Sequence, residues 1–163
     1  MSGGTKEVID FNELPIRSLE DYDKLFELIN KNVIDEPTVY TLKTFLGLNC
    51  SRIVIEYPYN DKDFLSTYYC YYSQKFRGFQ KKCYRLHIMG ESDEYYGYII
   101  LRPTVKGTRL GTAYISPVAL VDEEAYLMLA GFEAHIMDNK QEIMCFPWMK
   151  QEVDISVCAH VAA

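Results

Sequence analysis

Hydrophobic positions in the first half of the chain mostly recur every three or four residues, the spacing of helices that bury one face. Ser18 and Asp35 stand where two of these repeats begin and suit N-terminal caps, and Gly47 stands where the second repeat ends. A β-branched run between the second and third repeats is typical of a strand. These patterns predict helices over about 18–31, 36–46 and 61–76 and a strand over 51–57.

From residue 82 onward the hydrophobic pattern changes to every second residue, which is the period of strands. The segment 95–101 is apolar on both faces, as in a strand at the centre of a sheet. Further strands are predicted over about 82–89, 110–116, 126–138 and 142–146. Helices followed by strands predict an α+β fold, in which N-terminal helices pack on an antiparallel β-sheet.

The same patterns divide the chain into three parts. Residues 1–15 are expected to be a flexible leader, and residues 16–150 are expected to form one α+β domain. Residues 151–163 are expected to begin a further helix.

The composition is that of a folded protein with an acidic surface. The 163 residues are 48% hydrophobic and 14% aromatic, and the net charge is -6. The aromatic content supplies apolar area for a core, and the negative charge argues against nucleic acid and anionic membranes as partners. No apolar run approaches the roughly 18 residues of a membrane helix.

Five cysteines are irregularly spaced and form no C-x-x-C pair, which gives no support to a zinc knuckle or a thioredoxin motif. We therefore expect reduced thiols in a cytoplasmic protein, without a metal site.

The C-terminal segment holds the residues with the clearest chemical potential. Asp154 or Ser156 can cap a helix there, which would place Cys158 in its first turn, where the helix dipole favours the nucleophilic thiolate. Gln151 lies seven positions earlier and can donate its amide to a developing oxyanion. Trp148 is a candidate substrate-binding residue beside them.

The run Phe146-Pro147-Trp148-Met149-Lys150-Gln151, followed by Cys158-Ala159, resembles the nucleophile segment of papain-like cysteine peptidases. It is most similar to the bacterial bacteriocin-leader-peptidase-like group, and the resemblance covers about residues 146–163. It implies a cysteine hydrolase that attacks an amide or peptide bond through a thioester and uses no cofactor. In it, Cys158 would be the nucleophile and Gln151 the oxyanion donor.

The general base is the missing part of this hypothesis. The family's catalytic histidine lies well downstream of the cysteine, whereas five residues follow Cys158 here. The sequence therefore predicts the truncated N-terminal portion of a longer hydrolase, inactive alone. His160 would point about 200° away from Cys158 on a helix. This leaves His135, on a predicted strand, as the better in-chain candidate.

A second hypothesis makes the chain a non-catalytic binding or regulatory module for a peptide or a partner protein. In that case Cys158 is a small buried hydrophobic residue, and an open sheet edge accepts a strand from the ligand. Apolar surface left by a missing C-terminal half would also promote assembly into a homo-oligomer.

Overall fold

A computed structural model describes residues 8–74, 78–104, 109–121 and 128–148. Seven antiparallel strands form one sheet in the order β1-β2-β3-β4-β5-β7-β6. The strands are β1 (Asp10–Pro15), β2 (Arg52–Tyr59), β3 (Cys83–Met89), β4 (Tyr95–Leu101), β5 (Leu110–Ile115), β6 (Ala130–Ile136) and β7 (Asn139–Trp148). The helices are α1 (Leu25–Leu28), α2 (Glu36–Leu46) and α3 (Lys62–Cys70).

The predicted fold class, in which N-terminal helices pack on an antiparallel sheet, is wrong, and the predicted C-terminal helix start lies outside the described residues. The molecule is mostly a curled seven-stranded sheet, with 40% of the described residues in strands and three short helices. Two local outcomes explain the difference. Residues 10–15, assigned to the leader, form β1, and the first predicted helix is a 3-10 turn (Leu19–Lys24) followed by the four-residue α1.

Helix α2 follows the sequence prediction because its ends are fixed locally. The Asp35 carboxylate accepts a hydrogen bond from the Thr38 backbone N–H at 3.0 Å, and Pro37 occupies the first turn. Gly47 ends the helix with φ 50°, a conformation that glycine adopts without strain.

One face of the sheet packs against α1 and α2. Alternate residues of the strands point to this face, so that Ile55, Leu86 and Ile99 pack beneath Leu25 and Leu42. These side chains belong to the largest buried cluster of the described residues, which makes this face the main hydrophobic core.

The opposite face is covered in two separate places. The β6–β7 hairpin supplies Ala134, Ile136 and Ile143 to a cluster with Val54 of β2. At the other place, a cluster formed by α3 and the residues after it includes Phe64, Tyr72, Cys83 and Ile100. Tyr98 packs against both clusters, so the boundary between them, which we call the seam, lies over the middle of the sheet.

A buried ion pair lies near the start of α3. The Nε of Arg102 donates to the Asp61 carboxylate at 2.7 Å, and both side chains are about 5% exposed. Nη2 of the same arginine lies 3.2 Å from Thr112 Oγ1. Gly111 is required beside it, because a Cβ there would stand 2.6 Å from Arg102 Nε. This pair joins the α3 region to β4 and β5.

Among the helices of the described residues, none has the length and apolar character needed to cross a bilayer.

Candidate functional site

Four polar side chains form a buried network where the seam crosses β2, β3 and β4. Glu56 Oε2 accepts hydrogen bonds from Arg85 Nε at 2.6 Å and from His87 Nε2 at 2.9 Å. His87 Nδ1 lies 2.9 Å from the Tyr95 hydroxyl. Because Nε2–H faces a carboxylate, we assign Nδ1 as the acceptor of the Tyr95 hydroxyl hydrogen, which is the neutral tautomer.

The electrostatics agree with this arrangement. Burial lowers the pKa of His87, and this effect exceeds the opposing influence of Glu56. Burial alone would raise the pKa of Glu56, but the His87 hydrogen bond and the Arg85 guanidinium outweigh it and lower the pKa. Burial raises the pKa of Tyr95. Near neutral pH the network therefore contains one carboxylate, one guanidinium and one neutral imidazole.

Arg85 connects this network to the hairpin. Its Nη2 donates to the His135 backbone carbonyl at 2.8 Å, and its guanidinium lies over the rings of Tyr59 and Tyr98, 4.4 Å and 5.3 Å from their centroids. The side chain is 13% exposed. Arg85 thus holds β6 over the sheet through a main-chain carbonyl.

The hairpin geometry shows which backbone groups of β6 face away from β7. Met137 and Asp138 have φ 47° and 64°, which makes a two-residue type I′ turn, and Ile136 pairs with Asn139 beside it. Hydrogen-bonded pairs alternate from that pair, so β7 binds Ile136, Ala134 and Phe132. The N–H and C=O groups of the intervening residues point outward: His135, Glu133 and Gly131.

The Arg85 contact supports this assignment, since it reaches the outward carbonyl of His135. No described strand pairs with the outer edge of β6. Within the described part of the chain, the N–H and C=O groups of Gly131 and Glu133 therefore have no strand partner, as an added strand would require. We call these four groups, with the N–H of His135, the open edge.

The solvent side of the hairpin beside the open edge carries charge and a depression. Lys140 Nζ lies 2.7 Å from Glu133 and 3.2 Å from Glu142, so two carboxylates share one ammonium group. An open depression of about 350 Å³ lies at this part of the hairpin, lined by Gly131, Phe132 and Glu133 of β6 and Glu142, Ile143 and Met144 of β7. Met144 is 57% exposed, and the missing side chain at position 131 leaves the space beside it unfilled.

The other edge strand, β1, is less suited to accept a strand. The Ile16 N–H donates to the Ser51 carbonyl, and the alternation from that pair directs Phe11, Glu13 and Pro15 outward. Pro15 has no N–H to donate, and Glu13 is an exposed charge.

The structure separates the sequence-predicted site residues that it describes. His135 is exposed, and it pairs with Lys140 at the turn end of the hairpin. Trp148 is 39% exposed and lies at the opposite end of β7, where it pairs with Ala113. Cys158 and Gln151 lie outside the described residues, so their predicted roles remain predictions.

The surroundings of Cys50 and Cys145 disfavour the thiolate that a nucleophilic cysteine needs. Burial raises the pKa of Cys50 to about 11 and also raises the pKa of Cys145. Cys83 is buried, and Cys70 is an exposed free thiol. Among the described residues, no group of three or more His, Cys, Asp or Glu side chains is arranged to hold a metal ion.

The sequence analysis expected a sheet edge that accepts a strand but did not say which strand forms it, and it did not identify the buried network. Two signals point to the network: a glutamate inside the β-branched run 51–57, and Arg85 and His87 at alternate positions of the next strand. In a strand with one buried face these positions suggest exposure, but here the hairpin covers the second face.

Comparison of the chain with protein-family models, curated proteins and solved structures finds no match.

Proposed function

We propose that this chain is a non-catalytic binding module that accepts an extended segment of another protein along the outer edge of β6. The observation that supports the proposal is the open edge itself, with paired N–H and C=O groups at Gly131 and Glu133. Strand addition satisfies such groups with main-chain hydrogen bonds, and side-chain contacts then give specificity.

The anchoring of β6 also supports the proposal. An accepting edge has to be held in place before the ligand arrives, because ordering it on binding would cost affinity. Arg85 fixes the His135 carbonyl from below, and the hairpin buries Ala134 and Ile136 in its cluster. The same contact occupies the carbonyl of His135, so the open edge contains only the N–H group of that residue.

We also propose that the ligand is a protein and that the compartment is a reducing one, on the basis of the net charge and the cysteines. A net charge of -6 favours a protein ligand over nucleic acid. The thiols of Cys50, Cys70 and Cys145 are not joined in disulfides, which favours a reducing compartment such as the cytoplasm.

A proline scan of the two edges tests the proposal. The probe is an array of immobilised synthetic peptides of unbiased sequence, each about a dozen residues long, incubated with the labelled full chain. Glu133→Pro removes an outward N–H without breaking the β6–β7 ladder, and we expect it to abolish retention. Glu133→Thr, which keeps the N–H, and Glu13→Pro, which makes the same change on β1, should still be retained.

Retention of Glu133→Pro at the wild-type level, or no retained peptide for the wild-type chain, would refute strand addition at β6. Hydrogen exchange on the unsubstituted chain gives an independent check if the proline variant does not fold. A retained peptide should slow exchange at the amides of Gly131 and Glu133 and leave Glu13 unchanged. Protection elsewhere alone contradicts the proposal.

The alternative proposal is the papain-like hydrolase, and it rests on the spacing of Gln151 and Cys158. It predicts that Cys158 reacts with iodoacetamide at pH 6 much faster than the exposed Cys70, because the thiolate is the reactive form. Mass spectrometry of the alkylated chain locates the label. Equal rates at the two cysteines would remove the hydrolase hypothesis and leave the binding module.

A further inference from the structure

We infer that the segment bound at the open edge carries a basic residue followed directly by two bulky apolar residues. This ligand chemistry rests on the proposed function. It comes from the side chains that flank Gly131, Phe132 and Glu133, three consecutive positions of β6.

The direction of the added strand fixes the order of these ligand residues. Every strand pair in the sheet is antiparallel, and antiparallel pairing is slightly more stable per residue than parallel pairing. An antiparallel ligand meets Glu133 first, then Phe132 and then Gly131, as its chain runs from N to C terminus. Side chains of successive ligand residues point to opposite faces of the sheet.

The first ligand position lies opposite Glu133, on the solvent side of the hairpin. Glu133 is 60% exposed, and it shares Lys140 with Glu142, so this surface keeps one negative charge in excess. Opposite charges at facing positions of paired strands attract, and like charges repel. A lysine or arginine therefore suits this position.

The second and third positions are apolar for separate reasons. The residue opposite Phe132 points to the inner face, where Phe132 is half-buried and its ring centroid lies 4.5 Å from that of Tyr114. The residue opposite Gly131 points to the solvent side, where the depression and the exposed Met144 offer space and apolar contact. A bulky side chain there replaces the one that glycine lacks.

Fluorescence anisotropy with a matched set of labelled peptides tests the inference on the full chain. The reference peptide contains lysine, isoleucine and leucine in that order within an otherwise uncharged sequence of about ten residues. Its two variants carry glutamate in place of the lysine, or glycine in place of the leucine. We expect each variant to bind about fivefold more weakly than the reference.

Exchanging side chains on the protein should reverse these preferences. On Glu133→Lys the glutamate peptide should bind better than the lysine peptide, whereas Glu13→Lys, with the same charge change on β1, should keep the wild-type order. Gly131→Val places a side chain in the depression at ordinary contact distance, since a Cβ there stands 3.8 Å from Met144 Sδ. This substitution should weaken binding of the reference peptide about fivefold and leave binding of the glycine peptide unchanged.

The outcomes separate the two proposals. If all three peptides bind equally and slow hydrogen exchange at the open edge, the proposed ligand chemistry is wrong but strand addition is retained. No binding by any peptide, here and on the array, overturns both. Sedimentation that shows a dimer dissociated by Glu133→Pro would assign the edge to a second copy and overturn the inference.

Discussion

Neutralising Glu56 should be among the most destabilising single-charge changes in the described part of the chain. Glu56→Gln keeps the shape of the side chain but removes the only carboxylate that contacts Arg85 and His87 there. The Arg85 guanidinium then remains 13% exposed without its counter-charge. Breaking a buried ion pair typically costs about 3–5 kcal/mol.

The lower end of that range applies here, because Arg85 keeps the His135 carbonyl and two aromatic rings as partners. We therefore expect the free energy of unfolding to fall by about 3 kcal/mol. For a chain of this size that is a fall in Tm of about 6–12 °C. Urea denaturation followed by circular dichroism measures it. The control is Glu142→Gln, a 74% exposed carboxylate whose loss should cost less than about 0.5 kcal/mol.

The pH dependence gives a second measurement with a defined sign. The folded-state pKa of Glu56 is lowered, so its contribution is complete above its ordinary value near 4.5 and is lost as pH falls through the folded-state pKa. The pKa of His87 is also lowered, so the unfolded chain takes up its proton first. Stability therefore begins to fall below about pH 6.5.

In Glu56→Gln the free energy of unfolding should still decline below about pH 6.5, because His87 is retained. The further decline caused by protonation of the Glu56 carboxylate should be absent. The difference in unfolding free energy between wild type and variant should therefore shrink below about pH 4.5. A cost under about 1 kcal/mol, or a difference that is constant with pH, would refute the account of Glu56 as a charged anchor of Arg85.

Three further substitutions test the fold around the site by urea denaturation. Gly97→Ala should lower the free energy of unfolding by at least about 2 kcal/mol, because φ is 122° and a Cβ would stand 1.9 Å from a backbone oxygen of β5. The control Gly78→Ala, where a Cβ would have nothing within 4 Å, should leave stability unchanged. Equal effects of the two substitutions would contradict this account. Asp61→Asn should cost about 3 kcal/mol by removing the charge paired with a buried guanidinium, and the exposed Asp63→Asn should cost little. Tyr95→Phe should cost about 1–3 kcal/mol, since a buried imidazole nitrogen loses its donor; an unchanged stability would show that the hydroxyl does not serve it.

The open edge shows why part of a site was accessible from sequence and part was not. The two strands of the hairpin were predicted over about 126–138 and 142–146, because alternation of hydrophobic residues is a local signal. That β6 would be the last strand of the sheet was not predictable in the same way. Strand order depends on pairings between distant segments, which a local pattern does not encode.

The amino-acid sequence by itself determined the elements whose signals are local: helix α2, with its cap and its terminal glycine, the alternating strand β3 and the continuously apolar strand β4. Only the tertiary structure decided that β1 joins the sheet, and that Glu56 meets Arg85 and His87, 29 and 31 residues away. The physical reason is that caps and periodicity act within a few residues. Register, sheet order and burial of a second face arise from non-local contacts that form together.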